Sequence, residues 1–197
     1  PLPKTHVQCS YGILNYPSLR TSYARPGLAV YGIVDEACCL GPAPDLRPIF
    51  EVKARVALVK TVRQGERVGY DNAFTAQHDM RIAVITMGYA DGLPRSLSCG
   101  AGRVLIGGQY ATIVGHICMD QAMVNVTGIN AAAGDTAVVI GQSGGAAITV
   151  HQLAKWAGTI PNEIVSRLGH RVEPCYLHKE AVAAPAALPH KAKEGAA

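Results

Sequence analysis

The sequence predicts a mainly β chain, an antiparallel β domain preceded by the last strands of a larger α/β unit. Three observations predict it. From Phe50 to about Ile148, six short β-branched runs (VKARVALV, RIAVITMGY, RVLI, ATIV, AMVNV and TAVVI) are separated by Gly, Asp and Asn turns, the texture of antiparallel strands. Before them, Gly27 to Val34 (GLAVYGIV) is a near-continuous apolar run of the kind found in parallel strands covered on both faces. Between the two, the stretch from Asp35 to Pro48 contains three prolines and forms the natural boundary.

The elements follow in order. His6 to Ser10 reads as a short strand, Tyr11 to Leu14 as a turn or short helix, and Gly27 to Val34 as the buried strand. Two such strands cannot close a sheet, so this segment reads as the end of a unit that starts elsewhere. Within the β region, Gly107-Gly108 joins RVLI to the ATIV run and suits a tight hairpin, because glycine accepts the positive φ that such turns demand. Thr149 followed by Gln152 forms a capping box that opens a short helix ending near Trp156. A second helix starts at Thr159 or Ile160, holds Pro161 in its first turn and stops at Gly169. The boundaries expected are residues 1–48, a β domain over 49–180, and a tail over 181–197. That tail, rich in Ala, Pro and Lys, has too little side-chain bulk to offset its ordering entropy and is expected to be disordered.

Composition narrows the function classes. The chain has 197 residues, 49% of them hydrophobic, enough for one sizeable core. Eighteen Lys and Arg against fourteen Asp and Glu leave a net charge of +4, and no run of five like charges offers a footprint for nucleic acid or a lipid surface. The apolar stretches are strand-sized, far below the roughly 20 residues of a membrane-spanning helix, so no membrane contact is expected of this segment. Six cysteines without a C-x-x-C pair point to reduced thiols and a cytoplasmic setting.

Several kinds of chemistry find no support. The seven His are scattered without a metal-ligand spacing, and Cys38-Cys39 are too close to span one tetrahedral site, so no metal is expected. Gly100-x-Gly102 lacks the third glycine of a dinucleotide fingerprint and precedes its strand instead of following it. Ser10 and Ser143 have no nucleophile elbow around them. What remains is a set of tyrosines and polar residues beside glycines: Gly65-Glu66-Arg67-Val68-Gly69-Tyr70 leading to Phe74, Gly88-Tyr89-Ala90-Asp91-Gly92, and Gly115-His116-Ile117-Cys118-Met119-Asp120-Gln121. Any one alone reads as a glycine turn with an aromatic packed over it.

Together, in this order and with nineteen residues from Tyr70 to Tyr89, the three segments resemble the C-terminal β domain of the fold-type III alanine racemases, which depend on pyridoxal 5'-phosphate. The resemblance runs from about His6 to Tyr176. It implies that residues 1–48 are the end of an incomplete (β/α)8 barrel, with H-V-Q-C-S-Y-G at the seventh strand and Y-A-R-P-G-L-A-V-Y-G at the eighth. It also implies a Schiff-base lysine that this chain does not contain. None of Lys4, Lys53, Lys60, Lys155, Lys179, Lys191 and Lys193 sits in a context like V-K-A-N-A-Y-G.

Residue by residue, the resemblance makes Tyr70 a catalytic base. Racemisation removes the α-proton from one face and returns one to the other, so two bases must flank the reacting carbon. A free phenol has a pKa of about 10, and a neighbouring cation is needed to make it a base. Arg25 matches the arginine on the pyridine nitrogen of the cofactor, and because guanidinium stays protonated it cannot hand that nitrogen a full proton. Ser10, Gly27 and Leu28 match positions that hold the phosphate, although Cys9 replaces the commoner Asn beside that serine. Met119 matches a residue whose N–H holds the substrate carboxylate, with Asp120 orienting its turn. Tyr89, Arg95 and His116 match the corridor to the site. Most of the family has Arg where this chain has His116, so the charge there is expected to depend on pH.

Asn162, in T-I-P-N-E, stands where most of the family has a tyrosine that contacts the phosphate and crowds the substrate. A carboxamide opens room and supplies a donor and an acceptor for a hydroxymethyl group. The serine/alanine racemases of vancomycin resistance share a small polar residue there, as well as the wording S-Y-G-I-L-N-Y-P and G-H-I-C-M-D-Q, and their racemase part follows an integral-membrane domain. The resemblance therefore implies the C-terminal portion of a racemase for alanine, serine or both. In such an enzyme a head-to-tail homodimer places Tyr70 and Met119 at a neighbour's cofactor. The alternative is a non-catalytic β module for dimerisation or partner binding, which would have to avoid the sticky strand edges of a barrel remnant.

Overall fold

A computed structural model describes residues 3–42 and 44–177. The chain begins with β1 (Gln8–Cys9), α1 (Ser10–Asn15) and β2 (Ala24–Arg25). It continues through β3 (Val52–Val62), β4 (Arg67–Val68), β5 (Phe74–Thr75), β6 (Met80–Ile85), β7 (Arg103–Ile106), β8 (Gln109–Val114), β9 (Ala122–Asn125), β10 (Thr136–Ser143) and β11 (Ala146–Ile148). Two helices, α2 (Val150–Ala157) and α3 (Pro161–Arg167), follow. Among the described residues no helix is long and apolar enough to cross a membrane.

Seven strands form one antiparallel sheet in the order β11-β10-β3-β6-β9-β8-β7, and β10 pairs again with β7. Ala137 lies opposite Ala54 on one side and Ile106 on the other, so the ring from β10 through β3, β6, β9, β8 and β7 closes on itself. Closure removes the open edges that a flat sheet of this composition would present. The six predicted runs are the six strands of this ring. The hairpin between β7 and β8 turns on Gly107 and Gly108, at φ +56° and +78°, with Ile106 opposite Gln109. Two successive positive φ values are what a two-residue hairpin needs.

Alternation fills the barrel. Val52, Ala54 and Val56 of β3 are buried with Ile85, Leu105, Ile106, Ile113 and Val124, and Ile148, Leu153 and Ile164 extend that core under the two helices. A second, smaller cluster of Val62, Val68, Met80, Ile82, Val114, Cys118 and Met123 lies beneath β4 and β5. Thr149 caps α2 by accepting the Gln152 N–H at 3.1 Å, and Gly158 ends that helix at φ +70°. Pro161 is the first residue of α3, where its missing N–H is harmless.

The segment before Phe50 corrects one expectation. β1 is part of the strand predicted at His6–Ser10, and it pairs in parallel with β2, Gln8 opposite Ala24 and Cys9 opposite Arg25. Gly27 to Val34 is not a strand. Leu28–Tyr31 wind into a 3-10 turn that ends at Gly32, φ +70°, and Val30 is 58% exposed. The cause is local. Ser10 Oγ accepts the N–H groups of Gly27 at 2.8 Å and Ala29 at 3.3 Å, which offers the backbone a partner other than a neighbouring strand. The apolar character instead serves packing, with Ile33 buried in the main core and Leu28 lying against it. A short apolar run does not by itself distinguish a strand from a helical turn. The tail expected over 181–197 lies outside the described residues.

Candidate active site

Three turns leave strand ends of the barrel and meet. The first follows β4: Gly69, at φ +82°, delivers Tyr70 into a short turn closed by Ala73 N–H on Tyr70 O at 3.2 Å. The second follows β6, where Asp91 Oδ2 accepts the Gly88 N–H at 2.8 Å and so closes the turn that carries Tyr89. The third runs from Gly115, at φ +66°, through His116 to Asp120 and returns to β9.

Backbone contacts fix these turns against one another. Tyr89 N–H donates to Cys118 O and Ala90 N–H to Met119 O, both at 3.0 Å. A Cβ on Gly115 would lie 3.0 Å from Val68 O, which shows how closely the first turn rides over the third. Ser98 Oγ accepts the Ile117 N–H at 3.0 Å, and Cys99 N–H donates to Gly115 O at 2.9 Å, so the Arg95 segment is joined as well.

The result is an open cavity of about 360 Å³ lined by Tyr70, Asp71, Tyr89, Arg95, His116, Ile117, Cys118 and Met119. Tyr70 is 69% exposed and Met119 52%. Among the described residues the Met119 N–H donates to no acceptor. His116 Nε2 stands 3.8 Å from Asp71 Oδ2, and its Nδ1 is 3.6 Å from Cys99 Sγ. Below them, burial pushes the Cys118 thiol up from its ordinary pKa. Five sequence-predicted residues thus share one cavity. The sixth of that group, Asp120, lies beside it and accepts from Arg171.

A second group gathers on the N-terminal segment. Ser10 Oγ draws together two backbone N–H groups, from Gly27 and Ala29, with Leu28 between them. Arg25 stands opposite Cys9 in the parallel pair, one residue from that serine. The Cys9 thiol is held below its ordinary pKa, first by the backbone N–H of Gly12 and then by that of Tyr11. Asn162 is the second residue of α3 and exposed, and its amide makes no hydrogen bond among the described residues. Among the described residues no hydrogen bond joins the Ser10 group, Asn162 and the residues of the Tyr70 cavity.

Sequence reasoning missed Asp91 and Arg171. Asp91 stands in the G-Y-A-D-G segment already singled out, where a carboxylate three residues after a glycine is a turn-capping signal. Arg171 had no local signal, because its partners are 80 and 51 positions away in the chain.

Residues 49–176 match the family model of the alanine racemase C-terminal domain. The chain belongs to the alanine racemase family. Over 173 residues it is 45% identical to the amino-acid racemase of Enterococcus faecalis, covering 87% of this chain and 24% of that protein. It is 41% identical over 175 residues to the alanine racemase of Deinococcus radiodurans, covering 87% of this chain and 48% of that protein. The alanine racemase of Bartonella henselae, solved with covalently bound pyridoxal phosphate, superposes with a TM-score of 0.78 at 31% identity over 90% of this chain and 48% of that one. The alanine racemase of the D-cycloserine producer Streptomyces lavendulae gives 0.79 at 37% identity over 89% and 46%. This racemase-family chain therefore spans no more than half the length of the relatives it matches.

Proposed function

We propose that this chain is the C-terminal portion of a pyridoxal phosphate-dependent racemase of alanine, serine or both, and that Tyr70 is one of its two bases. The observation that carries the reading is the shared cavity. An exposed phenol, a backbone N–H at Met119 unpaired among the described residues and the Arg95 side chain line the same open space, on turns tied to one another by backbone hydrogen bonds.

The Ser10 group fits the cofactor. The Gly27 and Ala29 N–H groups point to one spot, now filled by the Ser10 hydroxyl, where a phosphate oxygen would accept them if that hydroxyl turned to donate to it, and Arg25 beside it suits an aromatic ring nitrogen as a donor. When bound, pyridoxal phosphate supplies the electron sink for the pair left as the α-proton departs. Tyr70 takes or returns that proton at the Cα from one face. The Met119 N–H holds the substrate carboxylate. Arg95 and His116 govern entry. The second base is a lysine from the α/β part of the enzyme, outside this chain.

The family resemblance supports a head-to-tail homodimer, in which Tyr70 and Met119 complete the site built on the partner subunit while Arg25, Ser10 and Asn162 serve the cofactor of their own chain. Asn162 gives serine an advantage, since its amide, without a hydrogen bond among the described residues, has both a donor and an acceptor for a hydroxymethyl group.

The test pairs this chain with an α/β half that supplies the lysine and follows interconversion of the L and D forms of alanine and serine. The chain alone with pyridoxal phosphate is expected to be inactive. Tyr70→Phe is expected to lower turnover by about 10²- to 10⁴-fold without a change in thermal midpoint. Full activity of that variant would overturn the assignment. Asn162→Tyr is expected to lower serine turnover more than alanine turnover.

A further inference from the structure

Arg171 lies beyond α3, yet its guanidinium reaches two of the turns described above. Its Nε is 3.1 Å from Asp91 Oδ1, and its Nη2 donates to Asp120 Oδ1. Asp91 is the more sheltered carboxylate, with a side chain 13% exposed against 63% for Asp120, and its second oxygen already accepts the Gly88 N–H. A planar guanidinium can engage two carboxylates at fixed angles, whereas a lysine ammonium acts as a point charge. One side chain therefore spans the turn of Tyr89 and the turn of Met119.

The same two turns are also joined by Tyr89 N–H to Cys118 O and Ala90 N–H to Met119 O. Met119 lies between these two attachments, with its own N–H unpaired among the described residues. Backbone bonds hold the residues on either side of the Met119 N–H, and the Arg171 bridge, through Asp120, holds the next residue in the chain. Isolated surface ion pairs contribute little to global stability, so this bridge has its effect on local geometry.

We infer that Arg171 is a positioning residue that holds the free N–H of Met119 in the direction of the substrate carboxylate. This rests on the reading of Met119 given under the proposed function. Arg171 touches no reacting atom. It acts through Asp91 and Asp120.

The test uses the full 197-residue chain, isotopically labelled, with propionate as a carboxylate probe and amide exchange as a second readout. In the unaltered chain propionate should shift the Met119 amide resonance. Arg171→Met should weaken that response at least fivefold and speed exchange of the Tyr89 and Ala90 amides at least tenfold, with the Val84 and Val124 amides in the barrel unchanged. Arg171→Lys should restore part of both effects, and Asp120→Asn should give a smaller change of the same sign. Unchanged propionate binding and exchange in Arg171→Met would overturn the inference, as would a uniform acceleration that includes Val84. Absence of any propionate response in the unaltered chain would overturn the Met119 reading and the inference with it. Intact binding in Arg171→Met would overturn the role of Arg171 alone.

Discussion

A Cβ placed on Gly88 would stand 2.3 Å from the carbonyl oxygen of Cys118, and equally close to that of Met119. No real side chain tolerates that distance to backbone, so the approach of the two turns requires glycine. Gly88→Ala must push them apart, straining the Tyr89–Cys118 and Ala90–Met119 hydrogen bonds. Overpacking and two weakened bonds together are expected to cost about 2–4 kcal/mol. Gly65 is the control: its φ is +86°, and a Cβ there would meet no atom within 4 Å, so Gly65→Ala should cost only about 1–2 kcal/mol. Urea denaturation midpoints check both, and equal losses would show that the close approach carries no weight.

The cysteines should react in an order set by their surroundings. Backbone N–H groups of Gly12 and Tyr11 favour the Cys9 thiolate, the Asp35 carboxylate disfavours that of Cys38, and burial disfavours that of Cys118. Thiolate fraction and access set alkylation rates. At neutral pH iodoacetamide is expected to label Cys9 ahead of Cys38, and Cys118 only once the chain unfolds. Peptide mapping by mass spectrometry over a time course reads the order. Early labelling of Cys118 would show that the cluster under Tyr70 opens freely.

The strands of the barrel were legible because β-branched runs and glycine turns are local signals, and Gly107-Gly108 named its own hairpin. Closure of the sheet was not, since the second pairing of β10 joins residues about 30 positions apart with no marker in either strand. The run from Gly27 to Val34 misled because its hydrophobicity records burial of Ile33 and packing of Leu28, while the hydroxyl of Ser10, seventeen residues earlier, decides the backbone shape. Within the site, Tyr70, Tyr89 and His116 were readable beside their glycines, Met119 and Arg95 only through the family resemblance, and the cavity gathers all five. Arg171 was not readable, because an ion pair across the fold leaves no pattern in the chain.

Acid should loosen α3. Thr159 Oγ1 donates to Glu163 Oε2, and Arg167 donates to Oε1 through Nε at 3.0 Å and Nη2 at 2.6 Å. The Thr159 hydroxyl first, and then the Arg167 guanidinium, hold the Glu163 carboxyl below the usual range. For a carboxyl depressed in the folded state, the stabilisation is present above the unfolded pKa and is lost as pH falls through the folded one. The thermal midpoint of the unaltered chain should therefore exceed that of Glu163→Gln at neutral pH, and the gap should shrink on acidification below the ordinary glutamate range. A gap that stays constant to pH 3 would mean that Glu163 acts through shape and not through charge.

The turn after Tyr70 is held in a conformation that most side chains resist. Asp71 and Asn72 both have positive φ, +57° and +52°, in the left-handed region that Asn and Asp enter more readily than other residues. Two such residues in succession reverse the chain quickly enough to bring Tyr70 over the Gly115 turn. A β-branched residue at 72 has no comparable access, and Asn72→Val should cost about 1–2 kcal/mol and shift the ring resonances of Tyr70. Asn72→Gly accepts the same angles without a side-chain penalty and should leave those resonances in place. If valine were accommodated with no change at Tyr70, the left-handed turn would not be what aims the phenol into the cavity.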